Sequence, residues 1–417
     1  MIKNVRYLAL LIMFLNLQAN SFSQKILDYV YKPPNVRFDN FPVNNGNASQ
    51  ESTSILIDSK GFIWSGTVTA LYRFDGIRYL EYGVSRGGRK GFKGLLVTDI
   101  IEDSEGLIWI GTSEALNKLD KDKGEFRSYI PDTTKKTGVS NFIWSVNEDS
   151  DGLFWILTSQ DIFSFDKKTE KFTRYQVDSL SWYPQNTLFF HADQRFAEDS
   201  LGNKWFVTNR GLYRFRKDEG TFNIILPGQQ DGELANIKKV NCVFAEKSGN
   251  LWIGTSGGGL LRWNFLTDKP ESIMAGRIAE SSVGLEDIST LLANGDGIVW
   301  SFGNGSFSKY DTKEFRIESF NINYKDRTVY EAPESKIWIN RAFQHEDGSI
   351  WFLNNTAGLM FRFDPESEKL VLYRSPAFMV YQCILDDLGS FWFACIRGNL
   401  FRLVTKQIPY YSIDNVD

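Results

Sequence analysis

Short apolar runs recur along the whole chain, each cut off by turn residues. A unit begins with a run such as STSILI, VTDIIE, FIWSV or NCVFA. A tight polar turn leads to a second run, such as FIWSGT, LIWIGT or LWIGT. A third follows (LYRFD, LNKLD, IFSFD, LLRWN, MFRFD), and often a fourth (IRYLEY, EFRSYI, KFTRY, KLVLY). No stretch sustains a 3.6-residue apolar period long enough for a helix, so each unit predicts four short β-strands.

The units are in register. Trp64, Trp109, Trp155, Trp205, Trp252, Trp300, Trp351 and Trp392 lie 41 to 51 residues apart. Gly stands three residues before each. Six before stand Asp58, Asp103, Asp149, Asp199, Glu246, Asn294, His345 and Asp386. An Asp at the head of a type I turn accepts backbone hydrogen bonds, and a Gly three residues on takes the left-handed conformation that rejoins a strand. Self-similarity at this period marks a propeller or a solenoid, and four strands per repeat mark an all-β propeller of four-stranded blades. One blade cannot bury both of its apolar faces. Packing blades around an axis buries both, and the repeat Trp is the expected filler, since such a ring buries about 150–250 Å².

The pattern leaves the ring at seven or eight blades. Residues 35–41 (NVRFDNF) predict a lone strand ahead of repeat one, suited to closing the ring. With eight blades it completes repeat eight. With seven it completes repeat seven, and repeat eight starts a second ring. With eight blades residues 407–414 (QIPYYSID) are left over, and with seven the second ring is unfinished, so the chain is expected to be the front piece of a longer protein.

The first residues read differently. Lys3 and Arg6 precede an apolar run (YLALLIMFLNL), and Ser21 and Ser23 precede Gln24. This is the layout of a secretory signal peptide over residues 1–23, with the propeller over 24–417. The run is far short of the roughly 20 residues that span a bilayer. The chain is therefore expected to be exported, periplasmic or extracellular, with no membrane span in its mature part. A net charge of −4 argues against nucleic acid as a partner. Two His and three Cys argue against a metal centre, and no cofactor is expected.

The motif Asp-x-x-Gly-x-x-Trp-Ile-Gly-Thr followed by Gly-Leu-x-Arg-Phe-Asp resembles the two-component regulator propeller repeat. Good copies are residues 103–112 (DSEGLIWIGT) and 251–262 (LWIGTSGGGLLR), and the resemblance covers about residues 35–415. It implies the periplasmic sensor region of a hybrid two-component system, many of which answer to oligosaccharides from complex glycans. Family members typically carry two seven-bladed rings, a β-sandwich, a membrane helix and a histidine kinase. No kinase motif stands in this sequence, so the resemblance implies sensing by this chain and signalling through a downstream sensor or kinase module, or through a homodimer. The alternative is a secreted propeller enzyme or an adaptor acting on polysaccharide.

Candidate ligand contacts then come from loops on a rigid scaffold. Residues 83–95 (GVSRGGRKGFKGL) carry Arg86 and Arg89, suited to an acidic sugar or a solvated loop. Residues 176–190 carry Trp182 and Tyr183, whose rings suit sugar stacking or packing on the rim. Arg210 and Arg397 fall in second-to-third strand turns on the same expected face, and His191 lies near an inner strand. His345 takes a turn position and reads as structural. Trp144 and Trp338 read as inner-strand core. Cys383 and Cys395 flank one hairpin and are the candidate disulfide, whereas Cys242 reads as a buried thiol.

Overall fold

The computed structural model describes residues 22–31, 37–42, 51–85, 91–134, 141–175, 194–208, 210–226, 234–273, 286–293, 295–323, 338–354, 358–374, 380–395 and 399–404. Eight antiparallel four-stranded sheets are arranged as the blades of one propeller. Blade 1 runs Ser52–Ile57, Ile63–Thr67, Ala70–Phe74 and Tyr79–Gly83 from the axis outward, and blades 2 to 7 repeat that order. First strands sit side by side around the axis: Ser52–Ile57 lies against Val97–Glu102 on one side and Val380–Leu385 on the other.

Closure settles the blade count at eight. After β1 (Phe22–Leu27) and β2 (Tyr29–Tyr31), β3 (Arg37–Pro42) pairs antiparallel with Asn399–Val404 and supplies the outer strand of blade 8. Repeat eight is thus a blade of the same ring. The strand expected at residues 35–41 is the one that closes it. Two further pairings were not foreseen from the sequence. β1 adds to blade 6 in parallel with Arg316–Ile322, and β2 adds to blade 7 in parallel with Lys369–Arg374. Ser23 and Gln24, on either side of the expected cleavage point, pair with Glu318 and Ser319.

Eight apolar clusters among the described residues occupy the eight blade boundaries. Each repeat Trp enters the boundary with the next blade, and none is more than 7% exposed. Trp109 meets Phe154 and Phe165 of blade 3. Trp155 meets Phe206 and Phe215 of blade 4, and Trp205 meets Trp263 of blade 5. Trp392 meets Phe74 of blade 1 across the closure seam.

The turn chemistry goes further than a hairpin requires. Asp103 Oδ1 accepts the backbone N–H groups of Glu105 and Leu107, as expected. Its Oδ2 accepts the indole N–H of Trp109 at 2.8 Å. Asp58, Asp149, Asp199 and Asp386 hold Trp64, Trp155, Trp205 and Trp392 in the same way. The carboxylate thus fixes both the turn and the rotamer of the ring that fills the boundary. The turn glycines have φ between 78° and 97°, where a side chain is strained.

The Gly two residues after Trp has another cause. A Cβ on Gly66 would fall 2.3 Å from Ser54 Oγ and 2.6 Å from Val97 Cγ1, and one on Gly111 would fall 2.7 Å from Ile143 Cγ2. Only a bare backbone lets the next blade's inner strand come this close. The following Thr caps the second-to-third turn: Thr112 Oγ1 donates to Ala115 O and accepts from Ala115 N.

Candidate functional site

The second-to-third turns and the outer-to-inner connections share one end of the ring. Of the loop contacts expected there, Arg86, Arg89, Trp182, Tyr183, His191 and Arg397 lie outside the described residues. Arg210 is exposed at the tip of its turn, and its N–H donates to Thr208 Oγ1 at 3.0 Å. The shoulders of the basic 83–95 loop are built firmly. Val84 and Phe92 pair as a parallel bridge, and Phe92 is fully buried. Asn117 of blade 2 clasps the Lys93 backbone from both sides, accepting its N–H at 2.9 Å and donating to its carbonyl at 3.1 Å. At the rim of blade 3, Arg174 is held between Asp132 and Asp161.

Nearer the axis, blade 4 departs from its neighbours. Its inner strand is only Phe196–Glu198. The residues before it turn inward, and the Gln194 amide bonds both backbone groups of Leu291 on the inner strand of blade 6. The Gln194 carbonyl accepts from Val243 of blade 5. Gln194 therefore covers strand edges that would otherwise face the channel bare. Arg195 follows it, and burial pulls its guanidinium below the ordinary arginine range. Lys239 heads the inner strand of blade 5. Burial and the charge of Arg195 both lower its ammonium. Because the charge of Arg195 lowers Lys239, an anionic group beside the two would relieve the repulsion, and the pair favours an anion. Neither residue was singled out from the sequence, where nothing distinguishes them from surface cations.

Trp338 corrects a sequence expectation. It is 40% exposed rather than core, because it precedes the inner strand of blade 7 and bridges Asn304 in a second-to-third turn. It thus adds an aromatic surface to the loop-bearing end. Trp144 is half-buried on its inner strand, with its indole N–H on Ser159 Oγ.

The opposite end carries the Asp turns, and in blades 1 to 4 they are latched together. Ser59 donates through N and Oγ to Glu102 of blade 2. Ser104 does so to Glu148, and Ser150 to Glu198. A lysine closes each latch. Lys167 reaches Asp103 at 3.2 Å and Glu148 at 2.7 Å, and Lys204 reaches Asp149 at 3.2 Å and Glu198 at 2.6 Å. Lys121 lies 3.8 Å from Asp58 and 3.6 Å from Glu102.

The remaining candidates are structural. His345 is buried against Phe391, with Nδ1 3.0 Å from Asp347 and Nε2 3.3 Å from the Gly389 carbonyl. The candidate Cys383–Cys395 bridge is not formed: neither cysteine is in a disulfide, and both are buried. A bulge between Val380 and Gln382 sets Cys395 opposite Val380 and Cys383 opposite Phe393, so the two are not cross-strand partners. Cys242 is fully buried, which pushes its thiol up to about 12. Among the described residues, no group of three His, Cys, Asp or Glu side chains could hold a metal ion. No helix among them is long and apolar enough to cross a membrane.

This geometry defines an eight-bladed β-propeller whose varied connections gather at one end. Residues 91–114 match the two component regulator propeller family. No curated protein matches the chain in sequence. Solved propellers share its fold. The chain is similar to the extracellular domain of the hybrid two component system BT3049 of B. thetaiotaomicron, at 17% identity and a TM-score of 0.50. That match covers 91% of this chain and 55% of that domain. It is also similar to virginiamycin B lyase of Staphylococcus aureus, at 13% identity, TM-score 0.52, and 88% and 99% coverage. Sqt1 of Saccharomyces cerevisiae is similar at 10% identity, TM-score 0.58, and 87% and 97% coverage. At these identities the likeness is one of fold.

Proposed function

We propose that this chain is an exported sensory propeller that binds a glycan-derived oligosaccharide carrying an acidic group. The observation that carries this reading is the Arg195–Lys239 pair at the head of the channel, on the end where the long connections meet. An acidic sugar would relieve the repulsion between the two cations, and the exposed ring of Trp338 offers a stacking face at the same end. Arg210 and the loops carrying Arg86, Arg89, Trp182 and Tyr183 would complete the contacts. The match of residues 91–114 supports a sensory rather than a catalytic role. Occupancy would be relayed by a shift in packing against a downstream module or a second copy. The basic and apolar N-terminus, with Lys3 and Arg6 before its apolar run, supports export.

Calorimetry against pools of acidic and neutral oligosaccharides tests the reading. Binding of an acidic pool, weakened at least tenfold in Lys239→Ala and in Trp338→Ala, is expected. Heat from no pool, or equal affinity for neutral and acidic pools, rejects it.

A further inference from the structure

The latches of blades 1 to 4 define what a filled groove looks like at the Asp-turn end. In each, an ammonium nitrogen sits over the turn carboxylate of the preceding blade. Lys121 Nζ also donates to the Gly106 carbonyl at 2.9 Å, and Lys204 Nζ to the Gly202 carbonyl at 3.0 Å. Those two glycines hold the same place in the turns of blades 2 and 4. Across the next boundary Asp199 is met differently. Asn203 Nδ2 donates to its Oδ2 at 3.0 Å, and Phe265 packs into the boundary.

The seam between blades 8 and 1 keeps the turn carboxylate and the turn-glycine carbonyl, but among the described residues it lacks both the glutamate and the cation. Asp386 holds Trp392 and its turn as Asp103 holds Trp109. Gly61 stands where Gly106 and Gly202 stand. Each position that supplies charge elsewhere is changed. Ile57 replaces Glu102, Gly76 replaces Lys121, and Ile63 replaces Lys204. No cation among the described residues reaches Asp386. What remains is a cavity of about 750 Å³, lined by all five of these seam residues. Phe41, Phe74 and Trp392 give it an aromatic wall. Asp75 and Asp387 add negative charge at its edge. The one cation on the lining, Arg402, is already engaged: it bonds Asp39 at 2.6 Å and lies over the rings of Phe41 and Trp392.

We propose that this seam cavity is a binding site for a small organic primary ammonium, whose nitrogen takes the place of the Lys121 and Lys204 ammonium groups. The nitrogen would donate to Asp386 Oδ2 and the Gly61 carbonyl, and its alkyl body would lie on Phe41 and Phe74. Two equivalent boundaries of the same ring place an ammonium group beside a turn carboxylate and a turn-glycine carbonyl: Lys121 with Asp58 and Gly106, and Lys204 with Asp149 and Gly202, each helped by a glutamate that the seam lacks. The volume of this open cleft is enough to admit a small ligand. The site stands at the opposite end of the ring from the oligosaccharide site and does not depend on it.

The probe is n-pentylammonium, with 1-pentanol as its uncharged counterpart, titrated into the full chain near neutral pH. Saturable binding of the amine at least tenfold tighter than that of the alcohol is expected. Ile63→Lys should abolish it, because the new side chain would reach Asp386 as Lys204 reaches Asp149. A crystal soaked in the amine gives the answer independently of any variant. The nitrogen should lie within hydrogen-bond distance of Asp386. Equal binding of amine and alcohol, undiminished amine binding in folded Ile63→Lys, or an empty seam in the soaked crystal overturns the proposal.

Discussion

Lys204 crosses a blade boundary to place its ammonium 3.2 Å from Asp149 Oδ2, with both side chains about 2% exposed. In blades 2 and 3 the equivalent ammonium comes from the residue after the third strand, Lys121 and Lys167. In blade 4 that residue is Lys217, which turns away to Asp151 because Lys204 already occupies the groove. Breaking a buried pair leaves its carboxylates uncompensated. Lys204→Met should therefore destabilise the protein by about 3–5 kcal/mol. Lys217 and Asp151 are exposed, so Lys217→Ala should leave stability almost unchanged. Urea unfolding of the two variants checks the contrast.

Blade 5 lacks a bond that blades 1 to 4 and 8 keep. Trp252 Nε1 and Glu246 Oε1 are buried with no partner among the described residues. The longer Glu side chain bonds Ser248 and Asn250 instead of the indole. Glu246→Asp should restore the link seen between Asp103 and Trp109 and stabilise the protein by about 1 kcal/mol. A higher midpoint with an unchanged slope in denaturant is the expected readout.

The repeat Trp residues are architectural, so their truncation should be uniformly expensive. Trp155 contacts Tyr175, Phe206, Phe215 and Phe222. Trp155→Ala should cost about 3–5 kcal/mol through lost transfer and an unfilled cavity. Trp338→Ala, at an exposed ring, should change stability by about 0.5 kcal/mol or less. Thermal unfolding distinguishes the two.

None of the three buried cysteines is in a disulfide, and burial raises the thiols of Cys242 and Cys395. Little thiolate forms near neutral pH, so the folded protein should resist alkylation. Unfolding without reductant should expose three alkylatable cysteines by mass spectrometry. Finding only one would restore the Cys383–Cys395 bridge.

Asp347 carries an acid-dependent term. Burial raises its carboxyl, but hydrogen bonds from Ser349, Arg362 and His345 outweigh it and hold the group well below its ordinary 3.8. A depressed native pKa contributes stability that is fully present above the unfolded value and lost as pH falls toward the native one. Asp347→Asn should therefore destabilise the protein above about pH 4 and approach wild-type stability in stronger acid. Unfolding curves taken across that range test the sign.

The sequence by itself determined the repeat, its strands and its turns, because each is set by contacts within about ten residues. Alternation specifies a strand, Asp and Gly specify a turn, and a constant Trp register specifies a blade. It also located the closing strand, but it left the blade count open. That count depends on whether residues about 360 apart meet, and pairing at that distance leaves no local signature. The parallel additions of β1 and β2, the turn of Gln194 into the channel, and the meeting of Arg195 with Lys239 depend on the ring being closed. Only the tertiary structure decided them. The seam cavity is the sharpest case. Ile57, Ile63 and Gly76 are ordinary residues in sequence, and they leave Asp386 without a cation among the described residues only because closure sets blade 1 beside blade 8.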